Sequence, residues 1–121
     1  MRKRPLSEET DMTEPKFLYL TTTGHRSGKP HEIEIWYVEH DGRFYIISEK
    51  REAAHWVRNI RAKATVRFRL GDTMSDAADP DLVAGRGAAP TDENLIAAVK
   101  AKMDAKHGWS NGLVVEIAPL D

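Results

Sequence analysis

The chain has no cysteine, which excludes disulfides, thiolate metal sites and thiol nucleophiles. It also has no long hydrophobic run. The start, Met1-Arg2-Lys3-Arg4-Pro5, is basic but leads into no apolar stretch, so neither a secretory signal nor a membrane span is expected. The expected address is the cytoplasm. Net charge is only −1, too small an excess for a general nucleic-acid binder. The five histidines, His25, His31, His40, His55 and His107, fall at no ligand spacing, and His-Glu-x-x-His is missing, so no metal is expected. Gly108-Trp109-Ser110-Asn111-Gly112 spells Gly-x-Ser-x-Gly, but it follows a helical pattern and precedes a strand, the reverse of a serine hydrolase's strand-to-helix elbow. Glu32 and Glu34 share a strand face, but a glycosidase cleft does not suit so small a chain.

What is present describes one soluble domain. Hydrophobic residues make up 40% and charged residues 31% of 121 positions, and that length supports a single core. Residues 1–15 are polar and hold Pro5 and Pro15; they read as a flexible arm, with residues 16–121 as the domain. Charge is uneven. Residues 43–70 carry eight Lys/Arg against two Asp/Glu, and residues 71–121 carry four against nine. A basic middle suits a small anionic ligand.

Periodicity gives the elements. Phe17 to Thr23 is β-branched and aromatic, and it stops at Gly24. Glu32 to Val38 alternates, with Ile33, Ile35 and Tyr37 on one face and Glu32, Glu34 and Trp36 on the other. Asp41-Gly42 then predicts a tight hairpin into Phe44–Ser48. Residues 52–61 switch to helical spacing, with Ala53, Trp56, Val57 and Ile60 on the buried face. Thr65 to Leu70 alternates again, Arg67 and Arg69 pointing outward, and a weaker strand spans 82–88. Thr91 is expected to cap a helix lined by Leu95, Val99 and Met103 and ended by Gly108. Leu113 to Ile117 is the last strand. Hairpins dominate and βαβ units are missing. The predicted fold is mainly β (α+β), an antiparallel split barrel of about six strands with two helices.

Two stretches carry candidate chemistry. Thr22-Thr23-Gly24-His25-Arg26-Ser27-Gly28-Lys29 packs hydroxyls, glycines and two fixed cations into one turn. Backbone N–H groups beside glycines approach an anion closely, Arg26 engages a phosphate bidentately, and Lys29 adds a compact charge. The second stretch sets Ser48, Lys50 and Arg51 just before a helix, whose N-terminus favours negative charge. Trp56 offers a flat face for a ring system, though its spacing equally suits core packing, and Asn59 suits a brace. No general acid, base or nucleophile stands out. Chemistry supplied by a bound cofactor fits that pattern.

Thr21-Thr22-Thr23-Gly24-His25-Arg26-Ser27-Gly28-Lys29-Pro30 resembles the Thr-Thr-x-Gly-Arg-[Lys/Arg]-[Ser/Thr]-Gly signature of the deazaflavin-dependent nitroreductase family. Glu32–Glu39, Asp41–Tyr45, Trp56–Ala62 and Lys106–Leu113 follow in the family's order, so the likeness spans residues 17–118. The resemblance implies a split barrel akin to the pyridoxamine-phosphate-oxidase-like flavoproteins, commonly a homodimer. It implies the deazaflavin coenzyme F-420 as hydride donor to a quinone, nitro compound or unsaturated ring. Thr23, His25, Arg26, Ser27, Gly28 and Lys29 would hold the coenzyme's phosphate or acidic tail. Ser48, Lys50 and Arg51 would border its ring or linker, backed by Trp56 and Asn59, with Trp36 and Tyr45 toward the acceptor. Three departures stand out: His25 and His31 replace arginines common in the family, and Glu34 replaces a proline. Fewer fixed cations leave FMN, with a single phosphate, as the alternative cofactor, and a non-catalytic ligand-binding module as the alternative function.

Overall fold

A computed structural model describes residues 15–72 and 82–120. The strands are β1 (Phe17–Thr23), β2 (Pro30–Trp36), β3 (Val38–His40), β4 (Arg43–Ser48), β5 (Thr65–Gly71), β6 (Val83–Ala88) and β7 (Leu113–Pro119). The helices are α1 (His55–Ala62), preceded by a 3-10 turn at Arg51–Ala53, and α2 (Glu93–His107). The expected arm at residues 1–15 lies almost wholly outside the described residues.

All pairings are antiparallel, in a single sheet of order β2-β1-β5-β6-β7-β4-β3. There are seven strands where alternation predicts about six. Ile33, Ile35 and Tyr37 continue one pattern, but Tyr37 divides it into β2 and β3, which form opposite edges of the sheet. Two edges joined through one residue force the sheet to curl, giving a half-barrel.

Alternation then assigns the two faces. Leu18, Leu20, Ile46, Val66, Phe68, Val115 and Ile117 point to one side, where Val57 and Ile60 of α1 close the core. Val38, Tyr45, Ile47 and Val114 point to the other, where Val99 and Met103 of α2 cover them. Val99 and Met103 are fully buried, each contributing about 1.5–3 kcal/mol relative to exposure.

Local chemistry sets the boundaries. Asp41 and Gly42 both have positive φ, 53° and 79°, as a type I′ hairpin requires. Asp92, not Thr91, caps α2, accepting from the backbone N–H of Asn94 at 2.9 Å and Leu95 at 3.4 Å. Gly108 ends α2 at φ 77°. The first helix starts later than its spacing predicts. Ala53 is exposed in the 3-10 turn, Trp56 is half-buried, and the buried positions of α1 are Val57, Asn59 and Ile60. Arg69 faces outward as expected yet is buried, because its guanidinium lies over the Tyr19 ring at 4.1 Å.

Candidate functional site

The Gly24–Lys29 turn is shaped by its own backbone. The N–H of Gly24 donates to the carbonyl of Lys29 at 2.7 Å, and that of Gly28 to the carbonyl of Gly24 at 2.9 Å. Gly28 needs its freedom at φ 73°. Gly24 needs space instead: a Cβ there would sit 2.6 Å from Ser27 Oγ and 2.8 Å from His31 Nε2. Ser27 Oγ accepts from the N–H of Lys29 at 3.1 Å.

Asn59 ties this turn to the barrel. Its Nδ2 donates to Thr22 Oγ1 at 2.9 Å, and its Oδ1 accepts the backbone N–H of His25 at 2.9 Å. His25 Nδ1 lies 2.7 Å from the same oxygen. The buried asparagine thus fixes where the first-strand turn stands relative to α1. Helical spacing marks Asn59 as facing inward, and these three contacts are the reason a polar group is tolerated there.

On the far wall, Ser48 is buried and donates to the carbonyl of Arg51 at 2.9 Å. Arg51 takes φ 54°, rare for a side-chain-bearing residue, and its guanidinium reaches Asn111 Oδ1 at 3.2 Å. Gly112 lies so close beneath that a Cβ would collide with the Ser48 carbonyl.

Between these walls lies a cavity of about 1470 Å³ along the free edge of β2. That exceeds the roughly 300–1,000 Å³ of a pocket for one drug-sized ligand, leaving room for a large coenzyme beside a smaller molecule. His25, Arg26 and Ser27 share it with Ser48, Lys50, Trp56, Asn59 and Trp36. Five expected residues do not line it. Thr23 ends β1, Gly28 and Lys29 complete the turn, and Arg51 is turned to Asn111. Tyr45 is buried on the α2 side of the sheet, with its hydroxyl on Glu116 Oε2 at 2.8 Å. Its alternation places it on a face, but only the docking of α2 decides that this face is sealed.

Further wall comes from positions the sequence did not single out as a site, among them His31 to Ile35 along β2, His55 and Arg58 on α1, Met103 on α2 and Trp109 just beyond it. The signal for Trp109 was an aromatic inside the short polar connection 108–112. The cavity has two chemical ends. The turn with Arg26 lies at the Pro30 end of β2, which pairs with Thr23, and Trp36 lies at the other, which pairs with Phe17. His31 and Trp36 are separated along the strand by about 17 Å, at 3.4 Å per residue. Trp36 is stacked on His107, with ring centroids 4.8 Å apart and planes 9° apart.

Beside Trp36, Glu34 accepts the Tyr19 hydroxyl at 2.8 Å. Burial, reinforced by that carboxylate, pushes the Tyr19 phenol up to about 12. Tyr45 is pushed up to about 12 by burial and by Glu116 in the same way. Both phenols stay protonated at neutral pH. Among the described residues no group of three or more His, Cys, Asp or Glu is arranged for a metal, and no helix is long and apolar enough to cross a membrane.

Solved structures share the fold at low identity. The haem storage protein HutZ from Vibrio cholerae superposes with a TM-score of 0.71 at 17% identity, covering 100% of this chain and 92% of its own. A Listeria innocua structure named for pyridoxamine 5'-phosphate oxidase gives 0.67 at 13% identity, covering 94% and 91%. An F420-H2 dependent reductase (FDR-A) gives 0.54 at 23% identity, covering 84% and 91%. No curated protein matches the chain. The sequence does match a family model, F420H(2)-dependent quinone reductase, over residues 3–106. That match takes in the Gly24–Lys29 turn, Asn59 and most of the cavity wall, and the split-barrel neighbours agree with it in fold; the chain belongs to the F420H(2)-dependent quinone reductase family.

Proposed function

We propose that this protein binds reduced coenzyme F-420 in the β2 cavity and reduces a small organic acceptor, with a quinone the favoured class. One observation carries the reading: the cationic, hydroxylated turn at 24–27 opens into the same cavity as Lys50, Trp56 and Trp36. The residues fit the coenzyme's chemistry. The buried Gly24 lets Ser27 and His31 converge where a Cβ would sit, and Arg26 supplies a planar donor fork for a phosphate or carboxylate. The Trp36 end, with Ile35, Met103 and Trp109, suits a flat ring and its acceptor.

When bound, the reduced deazaflavin supplies a hydride. Arg26 and Ser27 hold the acidic tail, Lys50 and the Ser48 wall border the ring, and Trp56 limits water along α1. Arg51 acts one layer back, bracing the Ser48 wall, while Asn59 in the cavity wall holds the turn. The homodimer implied by the resemblance is part of this reading, supported by the unpaired and largely exposed edge of β2, and the cytoplasm remains the proposed compartment.

The test is titration of the purified protein with F-420 and, separately, FMN, followed by oxidation of reduced F-420 with menadione or a nitroaromatic. Arg26→Ala is expected to weaken F-420 binding at least about tenfold, the loss of one charge-assisted contact. Arg67→Ala, at an exposed β5 position, is expected to leave it unchanged. Equal effects of the two changes, or FMN binding in preference to F-420, overturn the reading. Tight binding without turnover of any acceptor favours a binding module.

A further inference from the structure

We infer that Glu34 selects the acceptor by charge, admitting neutral or cationic planar molecules beside Trp36 and disfavouring those with an anionic substituent. The inference rests on the hydride-transfer reading above and narrows the class of acceptor that this site takes.

Strand geometry puts the carboxylate at the acceptor end. Glu34 and Trp36 stand two residues apart on one face of β2, about 7 Å along the strand, and both line the cavity. Glu34 is held by its cross-strand neighbour. It is paired with Tyr19 in the β1–β2 register, and the Tyr19 hydroxyl donates to its Oε2 at 2.8 Å. Burial, reinforced by Glu34 itself, pushes that phenol up to about 12. The anchor is therefore a neutral O–H at physiological pH, which fixes the carboxylate without cancelling its charge. Arg69, paired with Tyr19 on the far side, is occupied over the Tyr19 ring at 4.1 Å. Glu34 is exposed and takes part in no ion pair among the described residues.

Charge in the cavity is divided between its ends. Arg26 belongs to the turn at the Pro30 end, and Arg58 adds a second cation on α1. Glu49 and Lys50 on the opposite wall carry opposite signs. Along β2 toward Trp36 the charged side chains are Glu32 and then Glu34. Lys106, near this end, does not line the cavity; it is engaged by the Tyr37 ring at 3.8 Å and the Pro15 carbonyl at 3.2 Å. His107 covers one face of the Trp36 indole, so a planar acceptor meets the other. There it lies within about 7 Å of the Glu34 carboxylate. A sulfonate or carboxylate on its ring is repelled, whereas a cationic substituent is attracted by both the carboxylate and the indole.

Two measurements decide it, with menadione as the neutral quinone and 1,4-naphthoquinone-2-sulfonate as the anionic one. The chain has no cysteine to trap either quinone covalently. The first needs no coenzyme: each quinone is titrated into the full-length protein while the Trp36 indole N–H signal is followed by NMR. Both quinones are expected to move that signal. Glu34→Gln still accepts from Tyr19 but has no charge. It is expected to tighten sulfonate binding about fivefold, between the water and protein-surface limits for charges about 7 Å apart, and to change menadione binding less than twofold. The gain is expected to vanish in about 1 M salt. The second measurement is the ratio of kcat/KM for the two quinones with reduced F-420. Comparing this ratio between parent and variant cancels the quinones' different intrinsic reactivity. Glu34→Gln is expected to move it about fivefold toward the sulfonate, with F-420 affinity changed less than threefold. An unmoved Trp36 signal, or a ratio within twofold of the parent's, overturns the inference and leaves the hydride reading standing. Failure of the parent protein to bind F-420, or to reduce either quinone, overturns both.

Discussion

The indole of Trp36 lies flat against the imidazole of His107, 4.8 Å between centroids, at the apolar end of the cavity. His107 is held by its own contact, Nε2 to the Tyr37 carbonyl at 3.1 Å. The last turn of α2 therefore orients the aromatic floor of the site. His107→Ala is expected to destabilise the protein by about 1 kcal/mol, the worth of one aromatic pair, and to raise KM for the acceptor more than Kd for the coenzyme. Urea denaturation and steady-state kinetics check the two halves.

Asn59→Ala removes three contacts at once and leaves Thr22 Oγ1 buried. The expected loss is about 3 kcal/mol of stability, with a further drop in coenzyme affinity because the 24–29 turn loses its anchor to α1. Calorimetric Tm and a binding titration at a temperature where the variant is folded separate these effects.

Gly24→Ala should behave differently. The added methyl meets the tips of two side chains, Ser27 Oγ and His31 Nε2, and not backbone. Both can turn aside. Stability is expected to change by less than about 1 kcal/mol, while coenzyme binding weakens severalfold because Ser27 is pushed from its place. A large fall in Tm would contradict this.

Alkaline pH should destabilise the fold through two phenols. Tyr19 and Tyr45 have folded values near 12 against 10.0 for the ordinary group. The folded state therefore holds these protons more tightly than the unfolded chain. Their contribution is fully present below pH 10 and is lost as pH rises toward 12, on the order of 2 kcal/mol for each phenol. The urea midpoint should fall over that window. Tyr19→Phe should flatten the fall by about half, and an unchanged slope would show that Tyr19 does not carry it.

Much of this was legible locally. Asp41-Gly42 specifies its own turn, and Gly108 its own helix end. What was hidden depends on partners distant in sequence. Asn59 is explained by His25, 34 positions away. Arg69 is buried with its guanidinium over the ring of Tyr19, its partner on the neighbouring strand. Tyr45 was placed on the correct strand and the wrong side of the problem, since α2, which seals it, is docked from the far end of the chain. The division at Tyr37 has no composition signal; it follows from closing the sheet.

That division bears on how molecules reach the interior. Because the outermost strands are one continuous peptide bent at Tyr37, the barrel's seam is stitched covalently at that end. Away from that bend the cavity is rimmed by Gly24 and by Ala53 of the 3-10 turn, so a ligand entering there would part no strand ladder.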